Sequence, residues 1–109
     1  MPPAVPSITA SAVPDGAPIL DVRELDEWRA GHVPGALHVP LGELPGRLAQ
    51  LPADGELVVV CRSGGRSARA VAWLNDNGYD SVNLDGGMGA WAEAGRAMVS
   101  ESGGLPVVR

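Results

Sequence analysis

A chain of 109 residues with 13 acidic and 8 basic side chains, a formal net charge of −5 and one cysteine has the size of a single domain, able to bury roughly 65% of its unfolded surface without metal or disulfide staples. The acidic balance argues against general affinity for nucleic acid or anionic membranes, and a lone cysteine rules out an internal disulfide, so the fold does not depend on an oxidising compartment. No apolar run reaches the length of a membrane-spanning helix, and no basic residue precedes Arg23 to begin a secretion signal; the expected location is the cytoplasm.

In chain order, residues 1–7 hold Pro2, Pro3 and Pro6 and read as an extended, flexible arm. Residues 8–13 read as a short edge strand or turn, followed by the turn signal of Pro14, Asp15 and Gly16. Residues 17–22 predict a strand, and 24–30 a short helix that stops at Gly31. Glu24, Asp26 and Glu27 occupy its early turns, where acids suit the helix dipole. A tight turn at Val33, Pro34 and Gly35 leads to a short strand, 36–39. Leu41, Leu44, Leu48 and Leu51 have helical spacing, with an irregular start at Pro45 and Gly46. After a loop at 52–55, Leu57 and three valines make a buried strand at 57–60. Residues 67–77 predict a helix closed by Asn77 and Gly78, 81–84 a strand, Asp85 to Gly87 a turn, and 88–94 a last helix ending at Gly95. The folded domain is expected over 8–96. The tail, 97–109, carries little pattern and reads as disordered or as a segment that pairs with another subunit. Strands alternating with helical segments predict an α/β fold with a largely parallel sheet, whose ligand crevice lies at the C-terminal ends of the strands.

Cys61 stands at such an end, directly after the 57–60 strand. Arg62, Ser63, Gly64, Gly65, Arg66 and Ser67 follow it into a helix. Backbone N–H groups converge at a helix N-terminus and the dipole favours negative charge there. Arg62, Arg66 and Arg69 lie in a stretch, 57–75, that holds no acidic residue. Each factor favours the reactive thiolate over the thiol.

Four features, in order, resemble the rhodanese-like family of sulfurtransferases. They are Asp21, Val22 and Arg23 with Glu27 and Trp28; Gly31, His32, Val33, Pro34, Gly35 and Ala36; the Cys61 to Ser67 loop; and Leu84, Asp85, Gly86 and Gly87 with Trp91 and Gly95. The resemblance spans roughly residues 8–95 and implies a doubly wound, mostly parallel sheet flanked by helices. It also implies that the loop cysteine takes a sulfane sulfur from a donor such as thiosulfate, holds it as a persulfide, and passes it to a thiol or cyanide. The partners implied are a small anionic sulfur donor and a thiophilic acceptor, including a sulfur-accepting protein. No cofactor is implied.

The loop residues fit that chemistry. Gly64 and Gly65 permit the backbone to curl its N–H groups around a sulfur anion. Sulfite is a stable leaving anion, so no general acid is required. Arg66 is expected to return beside the mouth and bind the anionic donor, with Arg62 either adding charge there or pointing to solvent. Ser63 can donate to the sulfur; Ser67 can do so too, but reads more simply as the helix N-cap. Cys61 and Arg66 are spaced C-x4-R. Cysteine-dependent phosphatases use C-x5-R, so loop length disfavours a phosphatase or arsenate reductase on the same fold. A non-catalytic protein-binding module is the other alternative. His32 and His38, with no second cysteine nearby, do not read as a metal site. Asp21 and Glu27 read as structural, and Trp28, Trp73 and Trp91 as packing residues.

Overall fold

The computed structural model describes residues 4–109. Five strands form one sheet in the order β1-β5-β4-β2-β3, every neighbouring pair parallel. The strands are β1 (Ser7–Ile8), β2 (Ile19–Asp21), β3 (Leu37–His38), β4 (Leu57–Val60) and β5 (Ser81–Leu84). Three α-helices, α1 (Leu25–Ala30), α2 (Gly65–Asp76) and α3 (Gly87–Glu93), connect or follow them, with 3-10 segments at Ala10–Ala12 and Leu41–Gln50. The chain runs outward from β2 to β3, then crosses back to β4 and on to β5. The strand order therefore reverses between β2 and β4, where a parallel sheet opens its crevice.

Two buried layers sandwich the sheet. Leu20, Val22, Leu57, Val59 and Cys61 face α2 and the Leu41–Gln50 segment, meeting Leu44, Val71 and Leu74. Ile19, Val58, Val60, Val82 and Leu84 face the other way, onto Val13, Met88 and Trp91. Side chains alternate across a strand, so Cys61 falls on the α2 side because Leu57 and Val59 do.

β4 and β5 have the expected bounds, and the other strands are shorter than expected. Residues 41–50 form 3-10 turns with a break at Arg47 (φ −126°, ψ 20°); Pro45 has no N–H to continue a regular helix. The extended arm expected over 1–7 lies outside the described residues for its first three positions. Within the remainder, Val5 packs against the core and Ser7 pairs with Asn83. The stretch 97–109 lies against α1 and the turn after it. His32 and Val99 form an antiparallel bridge, Glu101 N donates to Arg29 O at 3.0 Å, and Val107 N donates to Ala30 O at 2.9 Å. No described helix is long and apolar enough to cross a membrane.

Candidate active site

Cys61 ends β4 with 1% of its surface exposed. The carbonyls on its far side are bound by the start of α3. Met88 N donates to Cys61 O at 2.8 Å and Gly89 N to Arg62 O at 3.2 Å. Only glycine at position 87 allows this approach, because its φ is +60° and a Cβ there would lie 2.5 Å from Cys61 O. With both carbonyls drawn toward α3, the next N–H groups are free to turn toward the sulfur.

The loop closes through Gly64, at φ 111° and ψ −11°, a left-handed conformation suited to glycine. Gly64 N donates to Cys61 Sγ at 3.0 Å. Helix α2 begins at Gly65, so Gly64 is its N-cap. Ser67 is therefore not the cap: it is the third helical residue, fully buried, with its hydroxyl 3.3 Å from Cys61 Sγ. Burial pushes the Cys61 thiol pKa up. The Ser67 hydroxyl and the amides of Ser67, Gly64 and Ser63 pull it down further, leaving it below its ordinary value.

Arg66 is held by a partner that the sequence does not place beside it. Its Nη1 and Nη2 donate to Glu27 Oε1 and Oε2 at 2.7 and 2.8 Å. Glu27 Oε1 also accepts from Glu24 N at 3.0 Å, closing the first turn of α1. The Arg66 guanidinium holds the Glu27 carboxyl at about 2. Arg66 in turn is held above its usual range, chiefly by Glu27, with a smaller contribution from Cys61. The guanidinium expected to be open at the mouth is thus a clamp between the first turns of α1 and α2. Arg62 is exposed, with Nη1 beside Gly89. Ser63 is exposed, and Gly65 is half-buried as the first residue of α2.

Asn83 has no signature in the sequence reading, yet it lies under the loop from β5. It is 8% exposed, its Nδ2 donates to Gly64 O at 3.2 Å, and its Oδ1 accepts from Ser67 Oγ. Asp21 is committed to Arg23. Their side chains are fully buried, with Arg23 Nη2 at 2.8 Å from Asp21 Oδ2 and 2.7 Å from Gly31 O. His32 and His38 stack on Trp28 and bond to the carbonyl oxygens of Trp28 and Arg23, which occupies one nitrogen of each ring.

A crevice of about 300 Å³ opens beside the loop, between Ser63, Gly64 and Gly65 and the Asp85 and Gly86 turn. A larger hollow of about 490 Å³ lies at the opposite end of β2, among Asp15, Ile19, Val33, Trp91 and Arg96. Cys61 does not line either hollow; Asn83 does line the first. Around the sulfur itself stand the amides of Ser63, Gly64 and Ser67 and the Ser67 hydroxyl, with the clamped Arg66 guanidinium nearby.

A family model described as a rhodanese-like domain matches residues 8–94. The chain is 41% identical over 86 residues to a sulfurtransferase of Allochromatium vinosum, covering 78% of this chain and 80% of that protein. It is 39% identical over 77 residues to a thiosulfate sulfurtransferase of Shewanella oneidensis, covering 70% of this chain and 76% of that protein. The crystal structure of a rhodanese-related protein from Thermoplasma volcanium matches with a TM-score of 0.81 at 33% identity, over 86% of this chain and 97% of that one.

Proposed function

The chain belongs to the rhodanese-like domain family and is a sulfurtransferase of that type; on that footing we propose that Cys61 is the nucleophile and carries the transferred sulfur as a persulfide. The Cys61 thiolate attacks the outer sulfur of an anionic donor such as thiosulfate. A sulfur–sulfur bond forms at Sγ, and the bond from the outer sulfur to the sulfonate breaks, its electron pair leaving with sulfite. The terminal sulfur of the persulfide is then attacked by cyanide or a thiolate. The electron pair of the Cys61 sulfur–sulfur bond returns to Sγ and regenerates the thiolate. No oxidant, reductant or cofactor is consumed.

The observation that carries this reading is the donation from Gly64 N to Cys61 Sγ at 3.0 Å at the mouth of a helix. The amide ring of residues 62–67 suits a sulfur anion one bond further out as well as the thiolate. Arg62 and Arg66 add positive charge at the mouth, Arg66 through the donors that Glu27 leaves free. The C-x4-R spacing favours this small anion over a phosphate ester. A working thiolate suits the reducing cytoplasm, where its acceptor would be a cellular thiol or a sulfur-accepting protein.

Intact mass tests the proposal. Incubation with thiosulfate is expected to add about 32 Da, one sulfur atom, held covalently on the nucleophile. Cyanide removes it and Cys61→Ser prevents it. A folded, reduced protein that gains no sulfur from thiosulfate or from small persulfides would overturn the reading.

A further inference from the structure

Two acceptors compete for one proton beneath the loop. The Ser67 hydroxyl faces both Cys61 Sγ and Asn83 Oδ1, and a hydroxyl donates to only one acceptor at a time. Asn83 cannot turn away, because its Nδ2 is bound to Gly64 O. That bond fixes Oδ1 toward Ser67. All three side chains are buried: Cys61 is 1%, Ser67 0% and Asn83 8% exposed.

The two ionisation states of the sulfur divide the proton differently. A neutral thiol donates to Ser67 Oγ, and the Ser67 hydroxyl then donates to Asn83 Oδ1. A thiolate is the stronger acceptor and draws the hydroxyl to itself. Asn83 Oδ1 is then left without its protein donor, on a residue only 8% exposed at the wall of the crevice beside the loop. We propose that Asn83 is a positioning residue that opposes thiolate formation by competing with Cys61 for the Ser67 hydroxyl. On the persulfide reading above, loading moves the charge to the outer sulfur and returns the hydroxyl to Asn83, so the loaded state is favoured over the empty thiolate. That consequence rests on the proposed function; the competition itself does not.

The geometry also offers a plainer role, and the two predict opposite signs. If Asn83 only braces the loop through Gly64, its loss loosens the amide ring and raises the thiol pKa. If it competes for the hydroxyl, its loss lowers the pKa. Arg66 is the cation that senses the sulfur, and Arg62, next in the chain, is exposed beside Gly89 of α3. Glu27 and Glu24 of α1 lie behind Arg66, and Asp85 follows β5. The first turn of α3 brings no charge, and Glu93 ends that helix. None of these groups is changed by substituting Asn83.

The test is the pH dependence of iodoacetamide alkylation of Cys61, which needs no sulfur donor and so separates this proposal from the transfer reading. Asn83→Ala is expected to lower the alkylation midpoint by about half to one pH unit, a fraction of one hydrogen bond to a charged group. Ser67→Ala raises it, and adding Asn83→Ala to Ser67→Ala produces no further fall. Asn83→Leu, closer to asparagine in volume, repeats the measurement where the smaller side chain unfolds the domain. A midpoint that rises or stays fixed in the Asn83 variants, or one that falls equally with Ser67 absent, overturns the proposal.

Discussion

Gly87→Ala is the substitution that best probes how the loop is held. The new Cβ would lie 2.5 Å from Cys61 O and 2.7 Å from both the carbonyl carbon and the oxygen of Arg62, where real Cβ atoms do not come under 3.0 Å. Relief needs roughly half an ångström of separation between α3 and the 61–62 peptides. That movement stretches the 2.8 Å and 3.2 Å bonds from Met88 N and Gly89 N. A buried donor or acceptor left unmade costs about 1–3 kcal/mol, and a left-handed φ on alanine adds about 1–2 kcal/mol. The total is about 4 kcal/mol, or a fall in Tm of about 15–25 °C for a domain of this size. Gly35→Ala is the control. Its φ is +79° with nothing within 4 Å of the Cβ, so it meets only the conformational cost, about 1–2 kcal/mol. Urea unfolding followed by tryptophan fluorescence measures both variants, and the alkylation rate of Cys61 reports the loop. If Gly87→Ala unfolds within about 1 kcal/mol of Gly35→Ala and its thiol reacts at the normal rate, α3 does not hold the loop as argued.

The Glu27 and Arg66 clamp gives a pH signature. Glu27 is held at about 2 against a reference of 4.5, so its contribution is full above pH 4.5 and is lost as pH falls toward 2. The Tm difference between the native protein and Glu27→Gln should be flat above that window and shrink within it; a difference independent of pH would remove the ion pair as its source. The same variant releases Arg66 and should lower the KM for thiosulfate at low salt, with an unchanged KM counting against any donor contact by Arg66. At the buried pair, Asp21→Ala strands a fully covered guanidinium and should cost about 3–5 kcal/mol in urea unfolding. Adding Arg23→Met should restore part of that loss, and a single variant near native stability would refute the account.

The sequence made legible what depends on neighbours in the chain. The apolar, mostly β-branched run at Leu57–Val60 and the alternating strand Ser81–Leu84 declare themselves between turn residues, and Cys61 follows from the first. Long-range pairings left no local trace. Glu27 and Arg66 are 39 residues apart, and each also makes sense alone, as a helix-start acid and a loop cation. Asn83 reads as one polar residue in a short strand, and only the register of β5 against β4 brings it under Gly64. Ser67 suggests a cap because serine near a helix start commonly serves as one. The left-handed Gly64 begins the helix two residues earlier than expected and turns the serine inward. The last thirteen residues lack periodicity because their bonds to Arg29, Ala30 and His32 are made by main-chain atoms, which any sequence can supply.

Reactivity in this protein is also a matter of counting. Both faces of β4 are buried, so its hydropathy cannot tell one frame from the next. One extra valine between Leu57 and Cys61 would look harmless to the core. It would nonetheless swing the thiol to the reverse side, toward Met88 and Trp91 and away from Ser67. Two extra residues would recover the side but carry the sulfur about 6–7 Å past its ring of amides. The strand thus works as a ruler with an odd–even scale, and a folded but inert protein is the outcome of misreading it by a single unit.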